Sequence, residues 1–408
     1  MILIYRLGIA VYSFGITIGG LFHQKARLFK EGRKGVFEQI KSANIASQSP
    51  IWFHCSSLGE FEQARSIIDA LHDKGEKILL TFFSPSGYEI RKNYASVDWV
   101  FYLPLDSPKN ANLYLELTQP KLAIFVKYDL WYYYLTNLKT RAIPSYLISA
   151  LFFPKQIFFK ARLGKLHRKM LNSFDKIYLQ NEESKKLLEG IKINNTEVVG
   201  DTRVDSVLER KDKAKKLPIL EAFLGEQKAI ILGSSYEAEI DLIVKSLPFL
   251  SHEKIIIAPH EVDEPNVMSI QNKLGNNCIR YSKYEQAKES QKVLIIDNIG
   301  TLFHSYKYAK LVFIGGAFSK GLHNTLEPAA YGVPICFGPH YHKFVEAVDM
   351  VNLNCAFPVA SVSDLKSLYS RLEDTTFTKT VNQKVNEYMQ DSKGASHRIF
   401  NDILLQIQ

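Results

Sequence analysis

Two carboxylates, each set at the start of a helix that follows a run of small residues, are the groups in this 408-residue chain best placed to do chemistry. The first is Glu60. It closes the segment Cys55-Ser56-Ser57-Leu58-Gly59-Glu60, which follows the apolar run Ile51-Trp52-Phe53-His54. Small residues such as Ser57 and Gly59 leave room for a ligand to approach the backbone. Glu60 falls in the first turn of the next predicted helix, where the helix dipole favours the ionised form. An ionised carboxylate there can take a proton from an attacking hydroxyl. It can equally do no more than complement the dipole.

The second carboxylate is Glu327, within Gly321-Leu322-His323-Asn324-Thr325-Leu326-Glu327-Pro328-Ala329-Ala330-Tyr331. This stretch follows the apolar run Leu311-Val312-Phe313-Ile314 and the pair Gly315-Gly316. Strand-to-helix turns of α/β sheets are ligand sites because backbone N–H groups point outward there. Asn324 at a helix start and Glu327 three residues on can grip the two hydroxyls of a ribose. The same spacing also reads as a capping box, with the glycines only relieving crowding.

The elements that must position these groups alternate. Predicted strands are Ile51–His54, Ile78–Phe83, Val100–Leu103, Leu122–Val126, Ser145–Ile148, Ile177–Leu179 and Val198–Val199, with helices such as Phe61–His72 and Asn110–Leu117 between them. From Val204 to Glu226 the pattern pauses in a charged segment holding Arg210, Lys211, Asp212, Lys213, Lys215 and Lys216. It then restarts with predicted strands Ala229–Gly233, Lys254–Ala258, Val293–Asp297, Leu311–Ile314 and Val333–Phe337. Such alternation implies parallel sheets covered by helices on both faces. Predicted helices include Glu239–Lys245, Pro265–Lys273, Asn324–Ala330, Lys343–Val351 and Asp364–Arg371. The stretch Lys379–Gln408 reads as two more, interrupted near Ser392-Lys393-Gly394. The expected division is 1–24 a hydrophobic membrane anchor, 25–204 an N-terminal α/β domain, 205–226 a connector and 227–408 a C-terminal α/β domain. A final helix is able to pack back on the N-terminal domain.

With 46% hydrophobic and 23% charged residues the composition is that of a folded chain, and 408 residues suit two domains. The net charge of +9 favours anionic partners. No zinc-finger spacing, RNP-like motif or basic heptad region is present, so nucleic acid is not expected. Cys55, Cys278, Cys336 and Cys355 form no C-x-x-C pair and read as buried thiols. The spacings of His54, His323, His340 and His342 fit no zinc pattern, so no metal is expected. The run from Met1 to Phe22 is apolar apart from Arg6 and two hydroxyl residues, long enough to cross a bilayer, and followed by Lys25, Arg27, Lys30, Arg33 and Lys34. Membrane attachment with that basic flank on the cytoplasmic side is expected. A spanning helix, an interfacial helix and a buried first helix all remain open.

Several segments, in order, resemble those of the transferases of 3-deoxy-D-manno-octulosonic acid (Kdo). Ser57-Leu58-Gly59-Glu60 is similar to the family's S-V-G-E, and Ser84-Pro85-Ser86-Gly87 to T-P-T-G. Pro104-Leu105-Asp106 resembles P-x-D, Asp129-Leu130-Trp131 resembles E-L-W-P, and Gly200-Asp201-Thr202-Arg203-Val204-Asp205 resembles G-N-x-K-F-D. Asp297 to Leu302 resembles D-x-x-G-E-L, and the Gly315-to-Ala329 segment resembles G-G-S…G-H-N-x-L-E-P-A. Gly338-Pro339-His340 with Phe344 resembles G-P-H-x-x-N-F.

The resemblance implies a GT-B fold: α/β, with two Rossmann-like domains facing a central cleft and an N-terminal membrane-anchor helix. It implies an inverting transfer of Kdo from CMP-Kdo to a lipid A precursor, lipid IVA, on the cytoplasmic face of a bacterial inner membrane. No cofactor is implied. Glu60 is then the base, and Asp129 and Arg203 stabilise the transition state. Pro259, His260, Ile299, Gly300, Thr301, Asn324, Thr325, Leu326 and Glu327 hold CMP, and Arg33, Lys34, Ser57 and Gly59 meet the acceptor. The chain departs from the family at Asp129 (for glutamate), Tyr132 (for proline), Arg203 (for lysine), Ala258-Pro259-His260 (for P-R-H) and Ala317 (for serine). Two other readings stay open. One is a different GT-B enzyme or an epimerase with another nucleotide sugar. The other is a membrane-tethered two-lobed binding protein without catalysis.

Overall fold

A computed structural model describes residues 2–20 and 22–408. Met1 and Leu21, both within the expected anchor, lie outside the described residues. The chain divides into two units, Met1–Ser206 with Lys393–Gln408, and Val207–Ser392.

The first unit is built on a seven-stranded sheet in the order β3-β2-β1-β4-β5-β6-β7, parallel throughout. Its strands are β1 (Ile51–Cys55), β2 (Ile78–Phe82), β3 (Trp99–Tyr102), β4 (Leu122–Val126), β5 (Ser145–Ala150), β6 (Lys176–Leu179) and β7 (Thr196–Val198). β1, β2 and β4 are buried along their whole length, as continuous apolar runs in a sheet covered on both faces must be. Alternation sorts the side chains. Ile51, Phe53 and Cys55 face a core with Phe61, Ile67, Ile68 and Leu71, whereas Trp52 faces another with Tyr114, Tyr134 and Phe125. Four helices matter below: α1 (Ile2–Gly19), α2 (Gln24–Glu31), α3 (Val36–Ser42) and α4 (Leu58–Asp73).

The chain's last helix, Ala395–Ile407, returns to this unit and places Ile399 and Ile403 in the same core as α4. Its start is capped from a distance. Asp205 accepts from Gly394 N at 2.6 Å and Ser396 N at 2.7 Å, satisfying donors that a helix start leaves open. Lys176 and Tyr178 both donate to Asp402 further along.

The second unit repeats the plan with the order β10-β11-β9-β8-β12-β13-β14. Its strands are β8 (Ala229–Ser235), β9 (Lys254–Pro259), β10 (Cys278–Arg280), β11 (Val293–Ile295), β12 (Ala309–Ile314), β13 (Ile335–Phe337) and β14 (Ala356–Pro358). The segment read as a connector is mostly helical, as Thr202–Asp212 and Pro218–Leu224.

Candidate active site

In the first sheet β1 and β4 are neighbours, and the chain leaves them in opposite directions, toward β2 and toward β5. Such a switch point opens a crevice beyond the strand carboxyl ends. Glu60 follows β1, and Lys127 and Asp129 follow β4. Ser57 caps α4, and its N–H donates to Glu60 Oε2 at 2.8 Å, so the carboxylate is held in a capping box. Gly59 is exposed beside it, and a side chain added there would meet nothing closer than Ser57 Oγ at 3.9 Å. Burial raises the Glu60 carboxyl above its ordinary 4.5, and the charge of Asp129 raises it further. Lys127, His54 and the Ser57 N–H oppose that rise without cancelling it. The dipole effect expected at a helix start is therefore outweighed, and Glu60 is a stronger proton acceptor than a solvated glutamate.

Asp129 is held by His54, which is wholly buried. His54 Nε2 lies 2.5 Å from Asp129 Oδ2, which makes the two an ion pair when the ring carries a proton on that nitrogen. His54 Nδ1 sits 2.8 Å from Thr81 Oγ1, which also accepts from Trp52 Nε1 at 2.8 Å. Trp131 Nε1 approaches the same Nε2 at 3.1 Å. One imidazole nitrogen offers a single lone pair or a single hydrogen, so it serves Trp131 when bare and Asp129 when protonated. Lys127 completes the cluster. Its backbone is left-handed (φ 63°), and its charge acts on both Glu60 and Asp201. Non-glycine residues are held in that region only where their surroundings enforce it.

Arg203 closes on Asp201: its N–H reaches Oδ1 at 2.9 Å, Nε reaches Oδ2 at 2.9 Å and Nη2 reaches Oδ2 at 2.5 Å. Burial pushes the Asp201 carboxyl up, but the guanidinium outweighs it and holds Asp201 below the usual carboxylate range. Glu60, Asp129 and Arg203 thus belong to one charged network in the first unit, joined through Lys127.

The second unit has its own switch point, between β8 and β12. Gly315 and Gly316 follow β12. A side chain on Gly315 would come within 2.2 Å of Ser234 O, and Gly316 has φ 94°. The buried Glu239 ties this loop to the start of the Glu237–Ser246 helix, accepting from Gly316 N at 2.8 Å and Tyr236 N at 2.9 Å. A cavity of about 400 Å³ opens beside it, lined by Tyr236, Glu237, Asp241, Phe318 and Lys320 among others. Pro259 ends β9 and His260 follows. The rings of His260 and His323 lie 4.6 Å apart, and Tyr236 packs on both. Ile299, Gly300 and Thr301 follow β11, with Ile299 91% exposed.

The helix expected over Asn324–Ala330 is shorter, Leu326–Ala329, with Thr325 at its cap. Asn324 Oδ1 accepts from Leu326 N at 3.1 Å. Glu327 meets a guanidinium. It accepts from Arg210 Nη1 at 2.9 Å, and Arg210 lies 3.9 Å over the Phe303 ring. The ribose clamp imagined for Glu327 therefore has to share the carboxylate with a guanidinium.

A profile described as 3-deoxy-D-manno-octulosonic-acid transferase (kdotransferase) matches residues 29–206. A Kdo transferase of Aquifex aeolicus is 27% identical over 348 residues, covering 83% of this chain and 90% of the relative. One from Haemophilus influenzae is 24% identical over 401 residues, covering 94% and 93%. The chain is thus similar to Kdo transferases along most of its length, as a divergent relative of them would be. It also aligns, at 23% identity, with a bifunctional glycosyltransferase/methyltransferase of Fusobacterium nucleatum, of which it spans 56%. Among solved structures, the UDP-GlcNAc 2-epimerase of Neisseria meningitidis superposes with a TM-score of 0.63 over 88% of this chain and all of that one, at 15% identity. A glycosyltransferase of kitacinnamycin gives 0.57 over 88% of this chain and 99% of that one, at 12% identity. These likenesses concern the fold, which is of the GT-B class, and the similarity to Kdo transferases over most of the chain makes it a glycosyltransferase.

Among the Kdo transferase motifs, some residues do structural work that their spacing hid. Asp205 caps the final helix, and Asp297 accepts from Ser282 N at 3.0 Å. Arg33, expected at the acceptor, is turned inward. It donates to Leu103 O, Phe29 O and Phe83 O at 2.9, 3.0 and 2.7 Å and lies 3.6 Å over the Phe29 ring. Burial lowers its guanidinium to about 10. Lys34 beside it is exposed, on a groove shared with Arg27 and Lys30.

His54, Lys127, Trp131 and Tyr236 were not among the expected site residues. Lys127 and Tyr236 carried a usable signal, since each stands directly after an apolar strand.

His323 supplies a pH-dependent test. Burial, with His260 alongside, lowers its imidazole to about 4 from 6.5. The folded protein refuses a proton that the unfolded chain accepts, so this stability is full above pH 6.5 and is lost as pH falls toward 4. A pH series of melting temperatures should show a shallower acid decline in His323→Gln than in the parent over that window. Parallel declines would mean that the buried ring titrates normally.

Proposed function

We propose that this protein transfers Kdo from CMP-Kdo to lipid IVA, with inversion, at the cytoplasmic face of an inner membrane. The observation that carries the reading is the half-buried Glu60 carboxylate, fixed by Ser57 at the switch point of the first sheet and raised in proton affinity by desolvation and Asp129. The acceptor belongs to the first unit and the donor to the second. Glu60 takes the proton of an acceptor hydroxyl. The freed oxygen forms a bond to the anomeric carbon, and the bond from that carbon to the phosphate oxygen breaks. CMP leaves with that electron pair, so a single displacement inverts the centre. Asp129, packed against His54, and Arg203, steadied by Asp201, are assigned to charge stabilisation as the bond breaks.

The donor side is assigned to Pro259, His260, Ile299–Thr301 and Asn324–Glu327, by their place after β9, β11 and β12 and by the family motifs. Ser57, Gly59 and Lys34 are assigned to the acceptor, with Arg33 shaping the wall behind it. Membrane attachment is assigned to α1, which is long and apolar enough to cross a bilayer and contributes no buried residue to the core.

Purified protein incubated with CMP-Kdo and lipid IVA should give a product heavier by at least one Kdo residue in the mass spectrum. No product, with both substrates intact, would overturn the assignment. Nucleotide choice tests the donor separately. CMP should raise the melting temperature, and UDP and GDP should not; the reverse order would favour an epimerase or a transferase of another sugar.

A further inference from the structure

The N-terminal helix is apolar on nearly every side, yet it is not free of its unit. Contacts recur along its length. Ile2 and Leu3 line a hollow with Lys165, Leu166 and Lys169. Tyr5 Oη donates to Asp106 Oδ2 at 2.6 Å, and the same Oη accepts from Tyr132 N at 3.3 Å. Asp106 is 2% exposed and also accepts from Tyr133 N and Tyr134 N, so Tyr5 is bonded into the interior of the α/β unit. Two turns on, Tyr12 stacks on Phe83 at 5.8 Å and meets Phe29 edge-on at 5.9 Å. Near the far end a side chain on Gly19 would touch Ala26 Cβ at 3.6 Å.

The opposite face is a continuous stripe. Ile4, Leu7, Val11, Phe14 and Ile18 recur at intervals of three and four residues, and all are exposed. Arg6, Ser13 and Thr17 fall along one flank between stripe and docked face. Basic residues predominate at both ends: Lys165 and Lys169 beside Ile2 and Leu3, and Arg27, Lys30 and Lys34, against the single acid Glu31, around a groove that Thr17 and Gly20 help to line.

A helix that spans must stand along the bilayer normal. From Tyr5 to Gly19 it rises about 21 Å, at ~1.5 Å per residue. With Tyr5 bonded to Asp106 and Tyr12 packed on Phe29 and Phe83, that depth would draw the α/β unit into hydrocarbon, Lys165 and Lys169 leading. Such burial of lysines is strongly unfavourable.

We propose that α1 lies in the plane of an anionic phospholipid surface, docked lengthwise on its own unit with the Ile4–Ile18 stripe in the lipid, and does not cross the bilayer. The inference rests on the membrane attachment proposed above. Its occupant is an anionic bilayer because a purely apolar stripe is bracketed by cations at both ends.

Cysteine accessibility tests it. The four native cysteines are buried and should stay silent. Full-length Arg6→Cys and Val11→Cys variants are added to preformed phosphatidylglycerol/phosphatidylethanolamine vesicles and treated outside with a membrane-impermeant maleimide. Arg6→Cys should label from outside at a rate within threefold of its lipid-free rate. Val11→Cys should label freely without lipid and at least tenfold more slowly with it. Labelling of Arg6→Cys only after the vesicles are opened would mean a spanning helix and overturn the proposal. Concentration-dependent protection of Val11→Cys without lipid would mean that a second copy covers the stripe, which also overturns it. Failure to sediment with vesicles would remove the membrane reading and this proposal together, and is distinguishable from either.

Discussion

Glu60→Gln should abolish Kdo transfer while leaving CMP binding intact. Removing a general base costs on the order of 10²–10⁴ in rate, and glutamine keeps the acceptor for the Ser57 N–H, so the capping box survives. The stability sign is fixed by the raised carboxyl. A group whose folded value exceeds its unfolded 4.5 favours the fold below that pH and loses this as pH rises through the folded value. At neutral pH the ionised Glu60 is therefore a cost, and the glutamine variant should melt at the same temperature or slightly higher. CMP should raise that temperature as much as in the parent. An inactive variant that also melts early would point to a structural role for Glu60.

His54→Leu should be the most destabilising single change at the site. It removes one partner of a buried pair and strands Asp129, whose side chain is only 12% exposed. Breaking such a pair costs about 3–5 kcal/mol, whereas replacing both members by apolar groups is often near neutral. The double variant His54→Leu/Asp129→Leu should accordingly recover most of the lost melting temperature. Transfer should stay below ~1% of the parent in both, because the charge assigned to bond breaking is gone. Recovery of activity with stability would show that Asp129 only props the fold. A double variant as unstable as the single would show that the pair is not a coupled unit.

The sheets were legible because parallel strands buried on both faces read as unbroken apolar runs: Ile51–His54, Leu122–Val126 and Lys254–Ala258 need no alignment to find. The edge strands β10 and β14 were not, since Arg280 and Pro358 cut short the apolar runs of Cys278–Arg280 and Ala356–Pro358. Glu60 was legible from its place after a strand, but its raised proton affinity was not, because Asp129 arrives from a strand about seventy residues on. Nothing in the sequence states that β1 and β4 are neighbours, and that adjacency creates the His54–Asp129 pair. His54 accordingly drew notice only as a metal candidate. Glu327 was read toward a ribose because Arg210, its partner, lay in what looked like a linker. Arg33 was read outward as one of a row of basic residues, yet its neighbours Phe29, Phe83 and Tyr102 form an aromatic cage around it. Charge patterns show where cations lie along a chain and not which way each one turns.

The acid limb of the pH–rate profile tests most directly whether Glu60 is the working base. Followed as kcat/KM with CMP-Kdo and lipid IVA, transfer by the parent should fall with a midpoint above 4.5 as the carboxylate takes up its proton. Asp129→Asn deletes the charge that raises Glu60, so its residual activity should show the limb moved to lower pH. An unmoved limb in that variant, or the same limb persisting at full rate in Glu60→Gln, would contradict the assignment.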